Sequence, residues 1–191
     1  MMIDENAFGI LISDFDLEDD EYRLEPHEFG DRTQRFHDVV FQHVAEQALA
    51  SDTRALDFGH ALFFEFGDGD QVTSPLAWLK TLRTALSEAG LASVGVLTHG
   101  SRWVDEESGI DVEVEQRYIG SVAVARVSSA SEPLRRALYA DTASRPLDDD
   151  NDGWGVGLYA DTEAIEALGL TPKNQPTGLS VAGATFFRVS R

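Results

Sequence analysis

The chain has 191 residues, which is enough to bury one core without support from disulfides or metals. Its 34 acidic and 15 basic side chains give a formal net charge of −19 at pH 7, and a surface of that sign repels nucleic-acid phosphates and anionic membranes. The absence of cysteine excludes disulfides, thiol nucleophiles and Cys-ligated metals.

The first half of the chain is predicted to contain two strands and two helices. Residues 7–13 form a short apolar run, which is typical of a buried strand. Residues 14–30 are densely acidic and predict an exposed loop, and apolar side chains then recur every fourth position over 32–50, which predicts an amphipathic helix. The aromatic run 60–66 predicts a central strand, and a second helix is expected over 74–90 because Ser-Pro opens it and glycine ends it.

The second half of the chain alternates between strand and helix patterns. In chain order, we expect strands at 93–98, 110–116 and 119–127, a short helix from 131, an acidic loop at 144–153, a strand at 154–160, a helix from 161 and a last strand at 179–189.

The order of these elements predicts a single α+β domain over residues 1–191. We expect a mixed or antiparallel sheet with helices on one face. Residues 60–160 read β-α-β-β-α-β, which is compatible with a ferredoxin-like core. The earlier β-α and later α-β elements would extend that core.

One acidic turn has the spacing of a metal site. Asp148, Asp150 and Asp152 precede Gly153 in the D-x-D-x-D-G pattern that begins a calcium loop. The twelfth position, where such a loop needs glutamate, is Tyr159. The segment is therefore either a looser calcium site or a solvated acidic turn, and we expect no other cofactor.

The only catalytic candidates are three neighbouring side chains after the strand predicted at 93–98. His99, Ser101 and Arg102 supply a base, a hydroxyl and a cation, but the chain has no G-x-S-x-G nucleophile elbow. The sequence therefore assigns no catalytic residue. The glycine-rich segments at 67–70 and 153–157 do not resemble a phosphate-binding loop, so nucleotide binding is not expected either.

Clustered acids beside tryptophans favour binding to a basic protein. A carboxylate-rich surface speeds the encounter with such a partner, and aromatic side chains anchor it. The candidate partner-binding residues are Asp14, Asp16, Glu18, Asp19, Asp20, Trp103, Asp105, Glu106 and Trp154.

The leading hypothesis is a non-catalytic acidic binding protein of the inhibitor or immunity type. One alternative is a small hydrolase or transferase that uses His99 and carboxylates, with or without a divalent metal. The other is an accessory domain with a salt-adapted acidic surface. We expect a cytoplasmic protein, because the chain starts without a basic and apolar leader and has no apolar run of spanning length.

Overall fold

In the computed structural model, nine strands and three principal helices account for most of the residues that can be described. The described residues are 2–14, 25–47, 53–67, 74–107, 115–121, 136–138, 157–172, 179–181 and 184–190. The helices are α1 (Pro26–Glu46), α2 (Pro75–Glu88) and α3 (Thr162–Leu168). The strands are β1 (Met2–Asp14), β2 (Arg54–Asp57), β3 (Ala61–Gly67), β4 (Ser93–Glu107), β5 (Glu115–Ser121), β6 (Gly157–Asp161), β7 (Thr171–Pro172), β8 (Leu179–Val181) and β9 (Ala184–Ser190).

The strands form one mixed sheet in the order β2-β3-β1-β4-β6-β9-β7, with β5 added beside β4 and β8 beside β9. β1 is antiparallel to both β3 and β4, and β2 is antiparallel to β3. β4 and β6 are parallel, and β9 returns antiparallel to β6. β1 therefore lies near the middle of the sheet, with both of its edges paired.

The predicted α+β class with a ferredoxin-like core is confirmed, but the core begins earlier in the chain than expected. The unit β1-α1-β2-β3-α2-β4 has the strand order β2-β3-β1-β4, with every pair antiparallel. The expected range, 60–160, omitted β1 and α1. Hydrophobic periodicity identifies strands but does not show which strands pair in the sheet. Here β1 lies between β3 and β4.

The three helices cover one face of the sheet, as expected. Alternate side chains of β1 and β3 point to these helices, including Ile10, Ile12, Leu62 and Phe64, and pack there in one core cluster with apolar residues of α1, α2 and α3. The intervening side chains, such as Leu11 and Phe63, form a second cluster on the opposite face, where Leu138 from the helical residues 136–138 also packs.

Among the element boundaries that differ from the sequence prediction, two help to position the candidate site. α1 begins at Pro26, because Glu25 and Glu28 form a capping box, so residues 26–30 are helical rather than part of an acidic loop. β4 continues to Glu107 through residues predicted as loop, because it pairs with β1 along the whole length of that strand. Within the described ranges, no helix is both long and apolar enough to cross a membrane.

Candidate functional site

The end of β1 places an acidic side chain inside the protein. β1 is apolar over residues 7–12 and ends at Asp14, which is fully buried. A buried carboxylate needs a compensating charge, and Arg32 in the second turn of α1 supplies it. The Arg32 Nε–H donates to Asp14 Oδ2 and the Nη2–H donates to Oδ1, each at 2.9 Å. This bidentate ion pair connects α1 to the end of β1.

The turn between β2 and β3 adjoins the end of β1. The Asp14 backbone N–H donates to the His60 carbonyl oxygen at 2.9 Å. Within the turn, Asp57 Oδ1 accepts the Gly59 N–H at 2.7 Å, an arrangement typical of an Asx turn. Gly59 has a φ of +84°, which side chains other than glycine rarely adopt. The turn thereby positions the His60 carbonyl oxygen within hydrogen-bond distance of the Asp14 N–H.

Helix α1 also contacts this turn through two aromatic rings. The His37 Nε2–H donates to the Gly59 carbonyl oxygen, and the same nitrogen lies 3.7 Å from Asp57 Oδ1. The Phe29 ring meets the His60 ring edge-on, with centroids 6.5 Å apart. Phe29 and Arg32, three residues apart, are neighbours on the surface of α1. We call the following group the hairpin edge: Asp14, Arg32, His37, Asp57, Gly59 and His60.

A second guanidinium reaches the same end of the sheet from α2. Arg83 is 2% exposed, and its Nη2–H donates to the Ser93 carbonyl oxygen at 3.2 Å. Ser93 is the partner of Asp14 in the β1–β4 ladder. Arg32 and Arg83 therefore contact the Asp14 carboxylate and the Ser93 carbonyl, two residues paired in the β1–β4 ladder, from two different helices.

The other buried carboxylate beside β4 has a structural role. Asp161 ends β6 and caps α3, where its Oδ1 accepts the Ala164 N–H at 2.8 Å. Its Oδ2 accepts the Thr98 hydroxyl, and both carboxylate oxygens lie 3.3 Å from the His99 backbone nitrogen. These bonds join α3 to β4 and account for the burial of Asp161.

The three catalytic candidates do not converge. His99, Ser101 and Arg102 lie inside β4 rather than in a loop after a strand. His99 packs on the Phe8 ring with centroids 4.5 Å apart, whereas Arg102 is buried in an ion pair with Glu5 at 2.6 Å. Because side chains alternate along a strand, Arg102 points away from the face shared by His99 and Ser101.

The candidate partner-binding residues are spread over several parts of the chain. Asp14 is buried in its ion pair with Arg32, and Trp103 is half-buried on β4. Asp105 and Glu106 also belong to β4, opposite Arg117 and Gln116 of β5. Asp16, Glu18, Asp19, Asp20 and Trp154 lie outside the described residues, so their role stays a prediction.

The predicted calcium turn, with Asp148, Asp150 and Asp152, also lies outside the described residues. Within the part of the chain that is described, no three His, Cys, Asp or Glu side chains lie together as a metal site. A calcium ion at that turn stays a prediction.

The basic residues of the hairpin edge, Arg32, His37 and His60, were not predicted from the sequence. In the sequence, Asp14 is one acid among many, and no motif marks Arg32, His37 or His60. One usable signal was present: Asp14 directly follows a buried apolar strand. An acid in that position requires a cation, and the chain contains only 15 lysine and arginine residues.

The sequence matches no protein-family model and none of the curated proteins. Solved structures, however, match the fold over nearly its whole length. The guanylyl cyclase Cya2 is 13% identical with a TM-score of 0.58, and the match covers 98% of this chain and 92% of that chain. The catalytic core of a rhodopsin-guanylyl cyclase with converted specificity, in complex with ATPαS, is 7% identical with a TM-score of 0.60 and coverages of 99% and 97%.

The guanylate cyclase domain of RhGC from Catenaria anguillulae, in complex with GTP, is 8% identical with a TM-score of 0.57 and covers 98% of each chain. Adenylyl cyclases are also among the matching structures. This finding contradicts the prediction of a non-catalytic inhibitor or immunity-type protein, which rested on the acidity of the surface and the absence of sequence motifs. Surface charge carries no information about fold. The chain has the fold of nucleotide cyclase catalytic domains.

Proposed function

We propose that this chain is a nucleotide cyclase domain that binds a nucleoside triphosphate and converts it into a cyclic monophosphate and pyrophosphate. The observation that carries the proposal is the match of almost the whole chain to cyclase catalytic domains, two of them in complex with ATPαS and GTP. The match is not confined to the ferredoxin-like core, because it covers 98% or more of this chain in both cases.

The proposed reaction replaces a phosphoanhydride bond with a phosphoester bond. The ribose 3′-oxygen forms a bond to the α-phosphorus, the bond from that phosphorus to the bridging oxygen of the β-phosphate breaks, and pyrophosphate leaves with the electron pair. The 3′-hydroxyl proton passes to a base or to water. The protein must hold the 3′-oxygen in line with the leaving group and compensate the phosphate charge.

The hairpin edge offers groups suited to part of this task. Arginine binds phosphate oxygens through a planar fork of N–H donors, and Arg32 lies 26% exposed at the end of β1. Arg83 is 2% exposed and bonded to the Ser93 carbonyl, so it contributes positive charge near this site rather than a contact with phosphate. Guanidinium groups from two helices thus lie at this end of the sheet in a strongly acidic protein.

A divalent metal does not fit the hairpin edge as it is arranged. Nucleoside triphosphates are commonly handled with Mg²⁺ held by one or two protein carboxylates. Here both carboxylate oxygens of Asp14 accept hydrogen bonds from Arg32 at 2.9 Å. No catalytic step is therefore assigned to a metal at Asp14.

The proposal departs from the expectation that nucleotides are not bound. That expectation rested on the absence of a glycine-rich loop between a strand and a helix, as in P-loop and dinucleotide-binding domains. The absence of that loop excludes those two modes only. A guanidinium-lined sheet end is a different way to bind phosphates.

Turnover of the full chain tests the proposal. The protein is incubated with ATP, GTP, CTP or UTP in the presence of Mg²⁺ or Mn²⁺, and cyclic monophosphate and pyrophosphate are quantified by mass spectrometry. We expect both products in equal amounts from at least one substrate. We expect Asp14→Asn to lower the rate by about tenfold or more, because the Arg32 guanidinium loses the carboxylate that orients it for phosphate.

Asp38→Asn is the matched control, since Asp38 is an exposed acid on α1 that bonds only to its helix neighbour Gln34 among the contacts described. This variant should keep the wild-type rate. A nucleotide that binds without forming either product would refute cyclisation, and the absence of both binding and product would refute the proposal as a whole.

A further inference from the structure

His37 joins helix α1 to the turn between β2 and β3. Its Nε2–H donates to the Gly59 carbonyl oxygen, and the same nitrogen lies 3.7 Å from Asp57 Oδ1. The His37 side chain is 19% exposed, and the Phe41 ring, one helical turn further on, meets its ring edge-on with centroids 5.9 Å apart. The imidazole is therefore held on the helix surface with its Nε2 directed at the turn.

On the side that faces the helices, the position of this turn depends on α1. All four residues of β2 are exposed, and so is Gly59. The bonds within the turn, from the Gly59 N–H to Asp57 Oδ1 and from the Phe58 N–H to the Ala61 carbonyl, set its shape but not its distance from the helix. The half-buried Phe58 ring packs on the opposite face of the sheet. A contact with α1 is therefore needed to hold the turn against the helix.

The contacts of α1 with the hairpin edge form a closed ring. Arg32 donates to the Asp14 carboxylate, and the Asp14 N–H donates to the His60 carbonyl oxygen at 2.9 Å. Gly59 precedes His60 in the chain and accepts the bond from His37, which returns the ring to α1. A shift of the turn away from α1 would therefore displace the His60 carbonyl and disturb the backbone at Asp14. Since the Asp14 carboxylate orients the Arg32 guanidinium, the shift would reach Arg32 as well.

We propose that His37 is a positioning residue for phosphate binding, because its bond to the turn keeps Asp14 and Arg32 in the arrangement that presents the guanidinium to a phosphate group. The inference rests on the proposed function, in which Arg32 is the group that binds phosphate. His37 acts through the turn and requires no contact with the substrate. Phe41, which is 45% exposed, supports this role by packing on the imidazole.

Amide hydrogen exchange of the nucleotide-free protein, followed residue by residue by NMR, tests the positioning. We expect His37→Leu to speed exchange of the Asp14 amide by about fivefold, the order of change that loss of one hydrogen bond produces in a local opening equilibrium. The Ile10 amide, in the middle of β1, should exchange at the wild-type rate. A general loss of stability would instead speed exchange at both amides.

Two further substitutions separate the hydrogen bond from the bulk of the ring. The amide of His37→Gln extends about as far as the imidazole Nε2, whereas that of His37→Asn is shorter by one methylene group. The glutamine variant should therefore restore slow exchange at Asp14 and the asparagine variant should not, and this pair decides the question if His37→Leu does not fold. His27→Leu is the matched control, because His27 is exposed on the first turn of the same helix, and it should leave exchange at Asp14 unchanged.

Calorimetric titration with inorganic pyrophosphate tests the consequence for the site. We expect the wild type to bind pyrophosphate, His37→Leu to bind it about fivefold more weakly, and His37→Gln to recover most of the affinity. Pyrophosphate carries the phosphate groups of a triphosphate without its ribose. The titration therefore reports phosphate binding and not cyclisation.

Unchanged exchange at Asp14 in His37→Leu, or a failure of His37→Gln to restore slow exchange, would overturn the inference. So would equal pyrophosphate affinities of the wild type and His37→Leu, or a wild type that does not bind pyrophosphate. A chain that binds pyrophosphate in this His37-dependent way but forms no cyclic product would refute the proposed function alone.

Discussion

Gly9 shows how closely the central strands approach each other. It lies in the middle of β1, between Glu65 of β3 and Thr98 of β4. A Cβ atom at this position would lie 2.6 Å from a ring carbon of Phe63 and 2.6 Å from the methyl group of Thr98. Neither neighbour can retreat freely, because both are fully buried. Glycine is required here by packing, not by an unusual backbone angle.

We expect Gly9→Ala to lower the free energy of unfolding by about 1–3 kcal/mol, the usual cost of overpacking a filled core. Gly30→Ala provides a control of opposite sign, because Gly30 lies on α1 and a Cβ atom there would meet no neighbouring atom within 4 Å. Alanine there should raise the free energy of unfolding by about 0.5–1 kcal/mol. Urea denaturation measures both, and equal effects from the two substitutions would contradict this view of the sheet.

Single residues of the site were only partly predictable from the sequence. An acid directly after an apolar strand marked Asp14, but the sequence cannot show that α1 starts early enough to bring Arg32 onto it. The capping box of Glu25 and Glu28 sets the first residue of α1. In the sequence these two glutamates belong to an acidic run that is typical of a loop. His60 was likewise obscured, because its importance comes from a turn and not from a motif.

The contact between α1 and α2 carries a titratable side chain. His43 of α1 is 7% exposed, and its ring packs on Trp78 of α2 with centroids 5.3 Å apart. Its Nε2 lies 3.1 Å from the Thr81 hydroxyl oxygen. Desolvation by burial lowers the pKa of His43 below 6.5, outweighing the hydrogen bond to the Trp78 backbone and the nearby Glu46, both of which raise it. The interface therefore favours neutral imidazole.

This helix contact should weaken in mild acid. An unfolded chain takes up the His43 proton at a higher pH than the folded chain, so the stability contribution is complete above pH 6.5 and is lost as the pH falls below that value towards the lowered pKa. We expect the urea midpoint to fall between about pH 7.5 and about pH 5.5, and His43→Leu to reduce that fall.

His27→Gln is the control for that measurement, since His27 is exposed on the first turn of the same helix. It should keep the wild-type pH dependence. If His43→Leu and His27→Gln show the same pH dependence as each other, His43 does not contribute as described.

Elements were easier to predict than their arrangement. Periodicity identified β1, β3, α2 and α3, because each presents a clear apolar run or stripe. It could not show that β1 inserts between β3 and β4, since strand order depends on contacts distant in sequence. The length of β4 was missed for the same reason: its polar second half is a strand because β1 and β5 pair with it.

For the whole molecule, composition describes the charge of the surface, whereas the fold shows which known structures the chain resembles. The net charge of −19 describes the surface, and a basic protein partner and a cytoplasmic location stay predictions. The chain shares its fold with nucleotide cyclase catalytic domains, at sequence identities of 7–13%. Strand order depends on contacts distant in sequence, which is why this fold was not visible in the sequence.

The most direct measurement for the whole molecule is calorimetric titration of the unmodified chain with ATP, GTP, CTP and UTP, because binding must precede any chemistry. The proposed function predicts saturable binding of at least one triphosphate at one site per chain, with a Kd below about 1 mM. Saturable binding with that stoichiometry would support a nucleotide site in this fold. No saturable heat with any of the triphosphates would contradict the proposal that this chain is a nucleotide cyclase domain.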